Sequence, residues 1–169
     1  MGKSDEARIA ILKDALAEAQ MTVRAYDTKA QIVGVGYIFA LGVIGRLGEF
    51  LPEPGDIGAV VVILSWVIVI LPIVLFGHVL YPSRRTVPEI QGEPAAGVQQ
   101  LLYIVSARHG TIGSLKDGLD ACDPVDEYAY EALKTSMLRE VKRQRFLRAL
   151  FATVFAFAFL FASQVIRGF

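Results

Sequence analysis

Three apolar blocks constrain this chain more than any other feature in it. Ile32–Leu51 is about 20 residues, Ile57–Tyr81 is 25 and Leu147–Ile166 is 20. A bilayer core of about 30 Å is crossed by roughly 20 helical residues, so each block is long enough to span it. Hydrocarbon offers no water to main-chain N–H and C=O groups, so each span has to satisfy them internally, as a helix. Pro72 in the second block implies a kink whose freed carbonyl is covered by neighbouring helices. The sequence therefore predicts an all-α membrane protein with three transmembrane helices and a small cytoplasmic helical domain. The blocks hold much of the 54% hydrophobic content. The 17 basic side chains balance the 17 acidic ones, so nothing in the charge points to nucleic acid.

Orientation follows from where Lys and Arg fall between the spans. Residues 1–31 hold five and residues 82–148 hold ten, whereas the Pro52–Asp56 turn holds none and the tail after the third span holds only Arg167. The expected layout is a cytoplasmic amphipathic helix at 1–31 and a transmembrane hairpin at 32–81, with spans 32–51 and 57–81. A cytoplasmic helical sensing domain at 82–146 follows, then a third span with a short outer tail at 147–169. The polar N-terminus, MGKSDEARIA, lacks the apolar core of a signal peptide. Cys122 is the single cysteine, which leaves no internal disulfide and makes it an inert or partly buried thiol.

Within residues 4–30, Ile9, Leu12, Leu16, Ala19, Val23, Tyr26 and Ala30 recur at alternating spacings of three and four, a heptad seam. No Gly or Pro separates Lys3 from the first span, so this helix should enter the membrane unbroken. Residues 86–97 carry two Pro and two Gly and read as a linker. Val98, Leu101, Leu102 and Val105 then predict a short amphipathic helix, and SLKDGLDA a second one capped by Ser114. Asp123-Pro124 is a helix start, Asp as the cap and Pro at the first helical position. Val125, Ala129, Leu133, Met137 and Val141 make a stripe that predicts the packed face of a second long helix, continuous to Ile166.

Enzyme signatures are missing. The two histidines and one cysteine have no metal-ligand spacing, and the carboxylates form no recognisable dyad, so the chain reads as a non-enzyme with no catalytic residues, no metal and no cofactor. The basic run LREVKRQRFLR supplies Arg139, Lys142, Arg143 and Arg145, and Arg108-His109 precedes a Gly-rich break. These six are the candidates for contact with a phosphate-bearing ligand. The competing reading is an anchor against anionic headgroups, at about 1 kcal/mol per cation. Asp27 lies five residues before the first span and Lys142 five before the third. Two helices leaving the membrane side by side bring those levels together, so Asp27 should pair with Lys142 or Arg143. Asp27, Lys29 and Lys142 are thus the expected coupling residues at the membrane boundary. Inside the first span, Gly42, Gly45 and Gly48, with Gly34, Gly36 and Ala40 adding to the small-residue count, predict close helix packing, and Arg46 with Glu49 an intramembrane charge pair.

Three stretches resemble the membrane-spanning Pycsar effector family of bacterial antiphage defence, similar in layout to SLATT-type effectors. They are YDTKAQIV at Tyr26–Val33, LLYIVSA at Leu101–Ala107, and YEALKTSMLREVKRQRFLRAL at Tyr130–Leu150. The resemblance carries an Asp-x-Lys-Ala at the first site and a basic residue with Leu-Arg near the last. Phe146 stands where a Tyr is common and Arg145 where a Lys is, and SARH replaces a more usual acidic pair. The resemblance implies a homo-oligomeric receptor in the bacterial inner membrane, gated by a cyclic mononucleotide (cyclic UMP or cyclic CMP) from a cognate cyclase. Activation would compromise the membrane and abort infection. Its partners would be membrane lipids and the nucleotide. The alternative from the residues themselves is a membrane-anchored coiled-coil scaffold with no nucleotide ligand; a channel without nucleotide input is a third.

Overall fold

A computed structural model describes residues 3–47, 59–81, 87, 90, 98–103 and 110–168. Among these residues there are four helices and no strand: α1 (Lys3–Leu47), α2 (Ala59–Leu80), α3 (Ile112–Ala121) and α4 (Pro124–Gly168). Three of them, α1, α2 and α4, are long and apolar enough to cross a membrane. The all-helical, three-span class expected from the sequence is the one observed. At 1.5 Å per residue the 45-residue α1 and α4 are each about 68 Å long, more than twice a hydrocarbon core. Each therefore carries a substantial stretch beyond its span.

The chain divides into two compact units, and α1 and α4 contribute to both. The first unit comprises Met1–Arg24 and Ser83–Val141. Its α1 segment buries Ile9, Leu16 and Ala19, with Leu12 and Val23 half-buried. The heptad seam is thus used inside the chain, which removes the free face that a coiled-coil scaffold would offer a partner. The apolar stripe expected on α4 is corrected at one residue: Val125, Ala129, Met137 and Val141 are half-buried, but Leu133 is 45% exposed. The fully buried positions beside it are Glu127, Glu131, Ala132 and Thr135, so the innermost side of α4 is largely polar here, and Glu127 has its partners inside the fold.

Two further expectations in this unit change. Val98–Tyr103 is not helical. Gln100 has φ 58, a left-handed value that breaks a right-handed turn, and the N–H groups of residues 99–101 are taken by a side chain instead of by helix carbonyls. The remainder of that expected helix, residues 104–109, lies outside the described residues. For α3 the cap is Thr111, not Ser114. Thr111 Oγ1 accepts from Ser114 N at 3.1 Å, and Ser114 Oγ accepts from Thr111 N at 3.3 Å, a reciprocal capping box with Ser114 at the third helical position. The Asp123 cap is as expected: its Oδ1 accepts from Val125 N at 2.8 Å, with Pro124 opening α4.

The second unit comprises Ala25–Pro82 and Lys142–Phe169. Its core joins Ala30, Phe76, Val79, Phe146 and Ala149, with Tyr26, Val33, Leu75 and Leu150 packed around it. Phe146 touches Tyr26 and Phe76 with ring centroids 5.8 and 6.3 Å apart. Deeper in the spans, Tyr37 is buried, meets Phe157 edge-on at 5.2 Å and donates its hydroxyl to Val69 O at 2.9 Å. An unpartnered hydroxyl in this setting is costly, so this bond ties α1 to α2. α2 remains helical through Pro72, which is fully buried. On α4 the packed side is made of Ala149, Thr153, Ala156 and Leu160, while Phe151, Phe155 and Phe161 point outward.

Of the described glycines expected to allow close helix approach, Gly34 is the one that meets a neighbouring helix. A Cβ on Gly34 would sit 3.3 Å from Phe76 Cβ, whereas Gly36 and Gly42 face open space within the chain. The side-chain positions of Gly45 and Arg46, and the whole of Gly48, Glu49 and the Pro52–Asp56 turn, lie outside the described residues.

Candidate functional site

α4 carries three buried charges, Glu127 and Glu131 in the first unit and Lys142 in the second. In the second unit Lys142 is 4% exposed. Its ammonium donates to Asp27 Oδ1 and also to Val79 O at 3.3 Å. The Asp27 partner expected from the sequence is therefore present, and it is Lys142 and not Arg143. Sequence logic places the two residues at equal distance from their spans; the Tyr26, Phe76, Val79 and Phe146 cluster then excludes water from the lysine stem. Asp27 keeps 33% of its side-chain surface exposed, against 6% for Lys142. The pair is asymmetric: the acid still meets solvent and the base does not.

Lys29, expected to share this junction, does not join the pair. It is exposed, with its ammonium 6.0 Å from the Tyr26 ring centroid. Arg145 donates to His78 O at 3.4 Å. Arg143 is exposed, and Arg139 is half-buried in the first unit. Arg108 and His109 lie outside the described residues. Lys142 and Arg145 are engaged at the end of α2, where they hold helices together.

In the first unit, Glu127 is 4% exposed and its carboxylate is held by main chain. Oε1 accepts from the N–H groups of Gln99 and Gln100, the latter at 3.1 Å, and Oε2 from Leu101 N at 2.9 Å. Three successive amides converge because Gln100 adopts its left-handed φ, the geometry of a main-chain anion nest. Beside it, Gln100 Nε2 and Lys134 Nζ both donate to Tyr130 Oη, at 3.1 and 3.2 Å. Five residues before the nest's acid, at the C-cap of α3, Cys122 Sγ donates to Leu119 O at 3.4 Å. Its thiol is pushed above the ordinary value, first by desolvation and next by the negative charge of Glu127.

Sequence reasoning missed Glu127, Gln99–Leu101, Tyr130 and Lys134. The available signal was the i, i+4, i+8 line Glu127, Glu131, Thr135, a polar row on one face of a helix that is otherwise apolar over long stretches. Among the described residues no group of three or more His, Cys, Asp and Glu side chains could hold a metal ion.

These features define a helical membrane protein in which buried Glu127 is held by main chain and buried Lys142 by a side chain, both on the helix that forms the last span. The chain belongs to the Pycsar effector family: the family described as Pycsar effector protein domain matches residues 11–167, nearly the whole length. It is accordingly a transmembrane effector of antiphage defence, an effector and not a cyclase. No curated protein and no solved structure matches it.

Proposed function

We propose that this protein is a cyclic-nucleotide-gated effector of the bacterial inner membrane, which compromises that membrane when a phage-triggered cyclase supplies a cyclic mononucleotide, cyclic UMP or cyclic CMP. In this reading the N-terminus and residues 82–146 are cytoplasmic, the C-terminus lies outside, and the active form is a homo-oligomer. The observation that carries the reading is the Asp27–Lys142 pair. It fixes the register of α1 against α4 at the point where each leaves the apolar core, and it also holds the end of α2 through Val79 O. A ligand shifts a protein between two arrangements only through its differential affinity for them. A buried ion pair is suited to separating two such arrangements, because half-broken states strand a charge.

The test is dye release from liposomes holding the purified protein with residues 82–146 outward, challenged with cyclic mononucleotides and cyclic dinucleotides. Release with one cyclic mononucleotide, and its loss in Asp27→Ala at equal insertion, is the expected result. Silence across the panel with insertion verified would reject nucleotide gating. Undiminished release from the variant would reject the role of the pair.

A further inference from the structure

We infer that the Gln99–Leu101 nest is an anion site occupied by the protein's own Glu127, and that the phosphodiester of the activating nucleotide displaces it. The identity of the ligand rests on the gating reading above; the nest as an anion site does not. Three successive N–H groups point to one place and meet the two oxygens of a single carboxylate. A cyclic phosphodiester presents the same acceptor set, two non-bridging oxygens sharing one negative charge. Exchange of one for the other conserves both the hydrogen-bond count and the charge within the nest.

The backbone supports this reading over a simple structural pin. A pin could be made by extended or helical main chain, yet here a glutamine adopts φ 58, an arrangement that is uncommon for a residue with a Cβ and that tends to mark ligand clamps. The conformation is supported from the side by Gln100 Nε2 on Tyr130 Oη. That support brings Tyr130 and the Lys134 ammonium, which lies over its ring, to the edge of the nest, a cation for the incoming phosphate. Glu127, once released, remains in the first turns of α4, where the helix dipole favours an acid. The exchange would free Glu127 from residues 99–101, and the bound carboxylate acts until then as an internal competitor that lowers the apparent affinity for ligand.

The test uses the full chain in detergent, with hydrogen exchange read on the peptide containing residues 98–103. Inorganic phosphate and cyclic UMP or cyclic CMP serve as probes. In Glu127→Ala the amides should exchange faster, and phosphate should restore protection at 98–103 and nowhere else. Cyclic nucleotide should bind that variant about tenfold more tightly than wild type, the equivalent of about 1.4 kcal/mol. Glu127→Gln keeps the side-chain volume and covers the case in which the alanine variant fails to fold; it should give the same pattern more weakly. Lost protection with no rescue by phosphate or nucleotide in either variant would make Glu127 a pin and overturn the inference while leaving gating intact. Rescue by phosphate, with no dye release by any nucleotide from wild type, would uphold the anion site and overturn the nucleotide as its ligand.

Discussion

Glu127 and Lys142 sit 15 residues apart on one helix, equally buried at 4% exposure, yet they are satisfied by opposite means. Lys142 has a carboxylate from α1 and a carbonyl from α2. Glu127 has three main-chain amides from a non-helical segment. A side-chain partner can be exchanged by substitution, and an amide cannot. The first site is therefore open to charge reversal and rescue, whereas the second tolerates only another anion of similar shape.

The largest expected effect separates the two members of the ion pair. Asp27→Ala strands a buried ammonium and should cost about 3–5 kcal/mol. Lys142→Met leaves an acid that already meets solvent and should cost less, about 1.5–3 kcal/mol, the worth of the lost charged hydrogen bond. Thermal unfolding of both variants in one detergent gives the order. The double exchange, Asp27→Lys with Lys142→Asp, should recover part of the loss. Equal single-variant midpoints would mean that the exposure asymmetry has no energetic weight.

Next comes Glu127→Ala, which removes the acceptor of three amides that water can reach through the space left, and should cost about 1–3 kcal/mol in all. Glu127→Gln should cost less than the alanine variant but should not be neutral, because its amide nitrogen faces an N–H donor. No basic or acidic substitution elsewhere should rescue either one, in contrast to the ion pair. A suppressor charge found by selection would erase the distinction between the two sites.

A smaller contrast lies within α1. Gly34→Leu must displace Phe76 and should destabilise by about 1–3 kcal/mol, whereas Gly36→Leu meets open space and should stay within about 0.5 kcal/mol of wild type. The same unfolding measurement applies, and equal losses would show that Gly36 faces a neighbour in the assembled protein.

The smallest effect concerns Cys122. Its raised pKa leaves less thiolate at neutral pH than a free thiol has, so alkylation should be slow there and accelerate as pH rises past the ordinary thiol value. Glu127→Gln removes one cause of the shift and should speed the reaction at neutral pH. Iodoacetamide rates across pH for both proteins decide it.

The spans and the Asp27–Lys142 pair were legible in the sequence for one reason. Apolar length sets a ruler, and charges placed at equal marks on that ruler must meet. The nest was not legible, because main-chain N–H groups carry no residue signature and a left-handed glutamine is invisible to pattern. Leu133 shows the same limit from the other side. Apolar spacing assigned it to the packed face, but hydrogen-bonded carboxylate can line a helix interface as well as leucine does. Spacing could not rank the small residues of the first span: Gly34 meets Phe76, whereas Gly36 and Gly42 meet nothing within the chain.

The Lys142 junction also bears on how such a protein is made. Its three contributors are far apart in the chain: Asp27 precedes Lys142 by 115 residues and Val79 precedes it by 63. At roughly 5–20 residues per second, translation leaves Asp27 waiting about 6–23 s for its partner to emerge. Throughout that interval the nascent hairpin has no lock between its first helix and the last. The pair can therefore form only after the start of α4 has been made, however early α1 and α2 enter the membrane.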